Sequence, residues 1–350
     1  MLKAYKQLAA EREIQGIPAL PLTPEQVQEL TSLLENPPVD ENNEFLISLF
    51  KNRIPPGVDQ AAYVKATWLN CIAQGNAKSE LISPLEATNL LGTMVGGYNV
   101  SALIEILKNK NKTLANCAAK NLSNILLVYD AVNEIFELSK ENPFAREIIQ
   151  SWANAEWFTK KPKLAKEITV TIFKVDGETN TDDLSPATHA TTRPDIPLHA
   201  LAMLETRIPD GLDQIKKLKK QGHSIAYVGD VVGTGSSRKS AINSMIWYIG
   251  DDIPFIPNKR SGGIILGGKI APIFFNTAED SGALPIECDV SKLNTGDVIT
   301  IRPYQGTIEK YCEEKQSVEI LSKFDLKPNT ITDEIRAGGR IPLMIGRALT

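Results

Sequence analysis

The amino-acid sequence predicts an α-helical domain followed by an α/β domain, and three observations carry that expectation. Apolar residues recur at helical spacing from residue 1 to about 160. Short β-rich runs begin near residue 167. Between them, Lys160-Lys161-Pro162-Lys163 reads as a linker. The domains are therefore expected at 1–160 and 167–350, which suits a chain of 350 residues at about 100–200 residues per domain.

The first half opens on MLKAYKQLAAEREIQGI, charged and helical in pattern, without the apolar stretch of a signal peptide. Thr23-Pro24-Glu25-Gln26 supplies an N-cap, a proline at the first helical position and an acid in the first turn. Val27, Leu30, Leu33 and Leu34 then share one face, and Asn36-Pro37-Pro38 stops the helix. Ser83-Pro84-Leu85-Glu86 repeats the start signal ahead of ATNLLGTM. EFLISLF, AAYVKATWLNCIAQG, VSALIEILKN, TLANCAAKNLSNILLVYDAVNEIF and AREIIQSWANAEWF read as further helical stretches, with Pro and Gly between them. Such a series with short connections predicts a stacked helical array of irregular period, with a compact bundle as the alternative.

The second half opens on the strand Glu167–Val175. HSIAYVGD, GGIILGG, ALPIECDV and DVITIRP follow as short apolar runs bounded by Gly, Pro or Asp. Helices are expected around 197–205, 211–221 and 237–248, and Lys216-Lys217-Leu218-Lys219-Lys220 is expected on a wet helix face. Strands alternating with helices define an α/β domain whose sheet buries Ile, Val and Leu on both faces. The last segment, DEIRAGGRIPLMIGRALT, carries no mark of a natural terminus.

Bulk properties narrow the function. Hydrophobic content of 42%, charged content of 23% and a net charge of −4 describe an ordinary globular chain with no global basic field for nucleic acid or anionic membrane. No run approaches the roughly 18 apolar residues of a membrane span, so the expected location is the cytoplasm. Cys71, Cys117, Cys288 and Cys312 are far apart and form no C-x-x-C pair, so they are expected to be structural. With only His189, His199 and His223 besides, no metal site is expected in this chain. His189 and His199, which flank Arg193, are expected in structural or solvent roles.

The chemistry concentrates in Tyr227-Val228-Gly229-Asp230-Val231-Val232-Gly233-Thr234-Gly235-Ser236-Ser237-Arg238-Lys239-Ser240-Ala241, read as a strand, a glycine-rich turn and a helix. Ser236 and Ser237 stand where the helix begins, and its free N–H groups and positive dipole end favour an anion. Arg238 can grip a carboxylate through two hydrogen bonds. A Walker P-loop fails because Arg238 precedes Lys239, and a dinucleotide fingerprint fails because Arg238 stands where a third glycine is needed. A plain strand-to-helix turn with N-capping serines is the remaining alternative.

Two further stretches bear on the choice. GETNTDDLSPA (177–187) with TRPDIPLHA (192–200), and GGKIAPIFFN (267–276), resemble, together with GDVVGTGSSRKSA, the swivel domain of aconitases of the bacterial B type. NRIPPGVDQAAYVKA and LLGTMVGGYNV resemble the HEAT-like N-terminal domain of that family, so the resemblance covers essentially the whole chain. It implies interconversion of citrate and isocitrate through cis-aconitate, in the tricarboxylic acid cycle, and hydration of 2-methyl-cis-aconitate in the methylcitrate cycle. A 4Fe-4S cluster then acts as Lewis acid in the complete enzyme, on ligands that lie outside this chain. Ser236 matches the family's proton-abstracting serine. Ser237 and Arg238 match residues that bind substrate carboxylates, Arg193 matches a further substrate-binding arginine, and Asp182 matches a supporting aspartate.

The cluster-bearing domains follow the swivel in this family, and the chain stops before them, so alone it is expected to be inactive. They are expected on the same or a separate chain. The family also implies a homodimer through the N-terminal domain and mRNA as a partner. The alternatives are a non-catalytic RNA-binding interaction module and a swivel subunit acting on isopropylmalate-like substrates.

Overall fold

The computed structural model describes residues 1–312 and 316–350. The chain divides into two compact units: Met1–Lys161 with Pro254–Pro257 and Met344–Thr350, and Pro162–Ile253 with Asn258–Leu343.

The first unit is helical: α1 (Leu2–Ile14), α2 (Pro24–Glu35), α3 (Asn43–Asn52), α4 (Gln60–Gln74), α5 (Pro84–Gly92), α6 (Tyr98–Leu107), α7 (Lys112–Leu122), α8 (Ala131–Ser139), α9 (Pro143–Ala153) and α10 (Glu156–Thr159). Local chemistry sets their starts. Thr23 and Gln26 form a reciprocal capping box on α2, and the Ser83 side chain accepts the amide of Glu86 on α5. α4 packs on α2 and α6, α5 packs on α7, and α7 packs on α9, so alternate helices stack into an array around one core. Two expected helical stretches are broken. α7 and α8 are separated at 123–130, where Ile125 and Val128 turn into the core and Tyr129 adopts φ +46°. α9 and α10 are separated at Ala155, φ +51°. Neither break carries Gly or Pro; burial of neighbouring side chains overrides helix propensity.

The second unit is a seven-stranded mixed sheet in the order β6-β5-β2-β1-β7-β8-β9. The strands are β1 (Ile168–Asn180), β2 (Ser224–Thr234), β5 (Ile264–Ile270), β6 (Leu284–Glu287), β7 (Val298–Arg302), β8 (Thr307–Cys312) and β9 (Ser317–Lys323), and the short pair β3 (Asp251–Asp252) and β4 (Arg260–Ser261) lies apart. β1, β2, β5 and β6 run parallel, and β7 to β9 extend the sheet antiparallel. Strand alternation sends Phe173, Val175, Ile225 and Tyr227 to one apolar cluster and Val170, Ile172, Ala226 and Val228 to another. The first is closed by α11 (Thr181–Leu184), α12 (Ile196–Ala200), α13 (Gly211–Lys219), α14 (Arg238–Ile249) and α15 (Pro272–Asp280). The second gathers Cys288, Val290, Leu293, Phe324 and Ile331, the last on α16 (Ile331–Ala337). The final helix is α17 (Arg340–Leu349).

Three expectations shift here. The helix expected at 197–205 is α12 alone, followed by turns to Arg207. The second strand runs on past Asp230 to Thr234. β8 and β9 lie outside the expected strands, and Thr307–Cys312 (TIEKYC) carries no regular apolar–polar alternation to announce a strand.

Candidate functional site

The carboxyl ends of β1 and β2 end side by side, with Asn180 opposite Thr234. Open α/β sheets place ligands at this edge. β1 turns at once into α11, where the Asn180 side chain accepts from the amides of Asp182 and Asp183, and the Asp183 carboxylate accepts from the Asn180 amide. β2 turns through Gly235 into α14.

Gly235 adopts φ +105°, and a Cβ there would collide with Thr181 Oγ1. That same oxygen accepts the Ser237 amide at 3.2 Å. The two turns are thus stitched together, which places the Asp182 segment against the Gly235–Arg238 turn.

Arg193 closes the site from a third segment. Its Nη2 donates to Ser237 Oγ at 3.1 Å and makes a long contact with the Ser185 carbonyl at 3.5 Å. Its Nε is buried with no hydrogen-bond partner. Arg238 donates from Nη1 to the Gly235 carbonyl at 3.0 Å. Among the described residues no carboxylate pairs with either arginine. Ser236 is exposed in the turn, and its hydroxyl has no partner among the described residues. Asp182 is exposed as well.

The N-cap of α14 is Ser237, yet its side chain makes no capping hydrogen bond. The alternative of N-capping serines therefore does not describe this turn: the Ser237 hydroxyl is turned to Arg193 instead. The structure brings Arg193, Ser237, Arg238 and Ser236 to one edge, with the Asp182 turn beside them. Behind Arg193 lie His199, expected in a structural or solvent role, and Ser185 and Ser240, to which no role was assigned; their contacts span 14 and 55 residues and leave no local signal. His199 is buried, and its imidazolium is disfavoured by burial and by the Arg193 charge. His189 is half-buried and lies 3.0 Å from Glu205.

The four cysteines do not form a ligand set. All are free, and burial pushes the Cys288 thiol up to about 11 and the Cys117 thiol up as well. Among the described residues no group of three or more His, Cys, Asp or Glu side chains is placed to hold a metal ion, so a 4Fe-4S cluster finds no fit in these residues. No helix among the described residues is long and apolar enough to cross a membrane.

The α/β domain thus presents, at the N-terminus of α14, hydroxyl groups and two guanidinium groups that have no carboxylate partner among the described residues. Comparison with known proteins makes the class specific. Residues 170–350 match the family described as the aconitate hydratase 2 N-terminus, and residues 4–158 match the aconitate B N-terminal domain. The aconitate hydratase B of Synechocystis is 62% identical over 350 residues, covering 100% of this chain and 40% of that protein. The Escherichia coli protein of the same name is 55% identical over 361 residues, covering 100% of this chain and 41% of that protein. A solved 3-isopropylmalate dehydratase from Methanocaldococcus jannaschii is 20% identical with a TM-score of 0.38, covering 52% of this chain and 96% of that one. The chain belongs to the aconitate hydratase B family, as its motifs imply, and spans about 40% of the length of the curated relatives it matches.

Proposed function

We propose that this chain is the part of an aconitate hydratase that grips the substrate's carboxylates and supplies the hydroxyl that takes a proton from carbon. Citrate, cis-aconitate and isocitrate are the substrates in this reading. The observation that supports it is the meeting of Arg193 and Arg238, both without a carboxylate partner among the described residues, with Ser236 and Ser237 at the start of α14. Two cations without a carboxylate partner among the described residues suit a ligand that carries several carboxylates.

Arg193, Ser237 and Arg238 bind carboxylate oxygens, and Asp182 supports their turn. Ser236 Oγ receives the proton. A serine hydroxyl is a weak base unless its anion is stabilised, and the α14 N-terminus and nearby guanidinium groups favour that anion. The 4Fe-4S cluster and the remaining catalytic groups come, in this reading, from cluster-bearing domains on the same or a separate chain. A cytoplasmic location, a homodimer through the helical unit, mRNA binding and hydration of 2-methyl-cis-aconitate are carried by the family resemblance alone.

The test is an NMR titration of the chain with citrate. Amide shifts should centre on Arg193 and Ser236–Arg238, and Arg193→Ala or Arg238→Ala should each weaken binding about tenfold or more. Citrate shifts elsewhere, or variants that bind as the parent does, would overturn the reading.

A further inference from the structure

Behind the arginine lies a buried hydrogen-bond chain centred on His199, which is 2% exposed. Its Nδ1 is 2.8 Å from Thr192 Oγ1, and its Nε2 is 2.8 Å from Ser185 Oγ. Ser185 Oγ is 2.7 Å from Ser240 Oγ, which in turn is 3.1 Å from the Ser237 carbonyl. At the other end, Thr192 Oγ1 is 2.8 Å from the His189 carbonyl. Thr192 precedes Arg193, and Ser185 meets the guanidinium through its carbonyl and the imidazole through its hydroxyl.

Counting protons limits the ring's state. Each hydroxyl donates once and a carbonyl only accepts. Thr192 spends its proton on the His189 carbonyl, so Nδ1 must donate to Thr192. If Ser240 donates to the Ser237 carbonyl, Ser185 must donate to Ser240, and Nε2 needs a proton too. That doubly protonated ring is opposed by burial and by the adjacent Arg193; His189 is the other titratable group that bears on it. A neutral ring gives up one of the two hydroxyl–carbonyl bonds, and the longer is the Ser240 bond at 3.1 Å, against 2.8 Å for Thr192, so the chain runs the other way. Ser240 donates to Ser185, and Ser185 donates to Nε2. The Ser237 carbonyl then keeps only its helical partner, the Ala241 amide at 3.0 Å.

We infer that His199 is a positioning residue for the carboxylate grip: its neutral imidazole, protonated on Nδ1, ties the Arg193 segment to Ser185 and, through Ser240, to the first turn of α14. The inference rests on the reading of Arg193 and Ser237 as carboxylate binders. A side chain that only filled space would not need two hydroxyls, one on each ring nitrogen, in opposite hydrogen-bonding roles.

The test uses the full chain labelled with nitrogen-15. At neutral pH, the His199 ring should show a protonated Nδ1 and an unprotonated Nε2. Ser185→Ala should move the Nε2 resonance and the Arg193 Nε resonance together. Thr192→Val and Ser185→Ala should each weaken citrate binding about tenfold, and Thr192→Ser, which keeps the hydroxyl, should restore it. A proton on Nε2 in place of Nδ1, an Arg193 resonance unmoved by Ser185→Ala, or equal losses in Thr192→Val and Thr192→Ser would overturn the inference. Unchanged citrate binding in Arg193→Ala would instead overturn the reading of the site itself, and the ring-nitrogen spectrum would still decide the state of His199.

Discussion

Arg193 donates a hydrogen bond from Nη2 to the hydroxyl of Ser237 at 3.1 Å, across 44 residues of sequence. The bond aims a planar fork at the turn that opens α14. Lysine keeps the charge but offers a point donor on a flexible stem, and cannot reproduce contacts to Ser185, Ser237 and a ligand at once. Arg193→Lys should therefore weaken citrate binding about tenfold, with little change in melting temperature. Ser237→Ala should weaken it less, because the guanidinium remains. An NMR titration with citrate checks both.

Gly235 tests how tightly the turn is built. Its φ of +105° is strained for any side chain, and an added Cβ would also strike Thr181 Oγ1, the acceptor of the Ser237 amide. Gly296 has φ +93° but open space within 4 Å, so it reports backbone strain alone. Gly296→Ala should cost about 1 kcal/mol, and Gly235→Ala about 2–3 kcal/mol. Only Gly235→Ala should also weaken citrate binding. Urea unfolding gives the first comparison and titration the second.

Glu279 on α15 and Glu334 on α16 are buried at 2% and 4% exposure. Burial, and then the neighbouring Glu334 charge, push the Glu279 carboxyl up to about 7, while Arg340, itself paired with Asp280 at 2.9 and 3.1 Å, pulls it down. The folded state therefore holds this proton more tightly than the unfolded chain, whose carboxyl keeps its ordinary value of 4.5. Its contribution to stability is full below that value and is lost as the pH rises through about 7. Glu279→Gln should flatten the fall in unfolding free energy between pH 5 and 8. An unchanged slope would remove Glu279 as its source.

What could be read from the sequence was local. Thr23 and Ser83 announced α2 and α5 because an N-cap acts within three residues. Gly233, Gly235 and the serines marked the site because the turn needs positive φ and a close approach to Thr181. Asn180-Thr181-Asp182-Asp183 was equally local, a capping box that opens α11, and could have been found. The breaks at Tyr129 and Ala155 could not, since the residues at positive φ there are not glycine and carry no local signal of a turn. Nor could the tie between His199, Ser185 and Ser240, which exists only once the end of α11, α12 and α14 have come together.

Ser236 is the hydroxyl proposed to take the proton from carbon. The direct measurement is aconitate hydration by this chain mixed anaerobically with the cluster-bearing domains of a B-type aconitase, with wild-type sequence or Ser236→Ala. The predicted result is activity in the wild-type mixture and a loss of about 100- to 10,000-fold in the serine variant, with citrate still bound. Equal activity in the two mixtures would contradict the assignment.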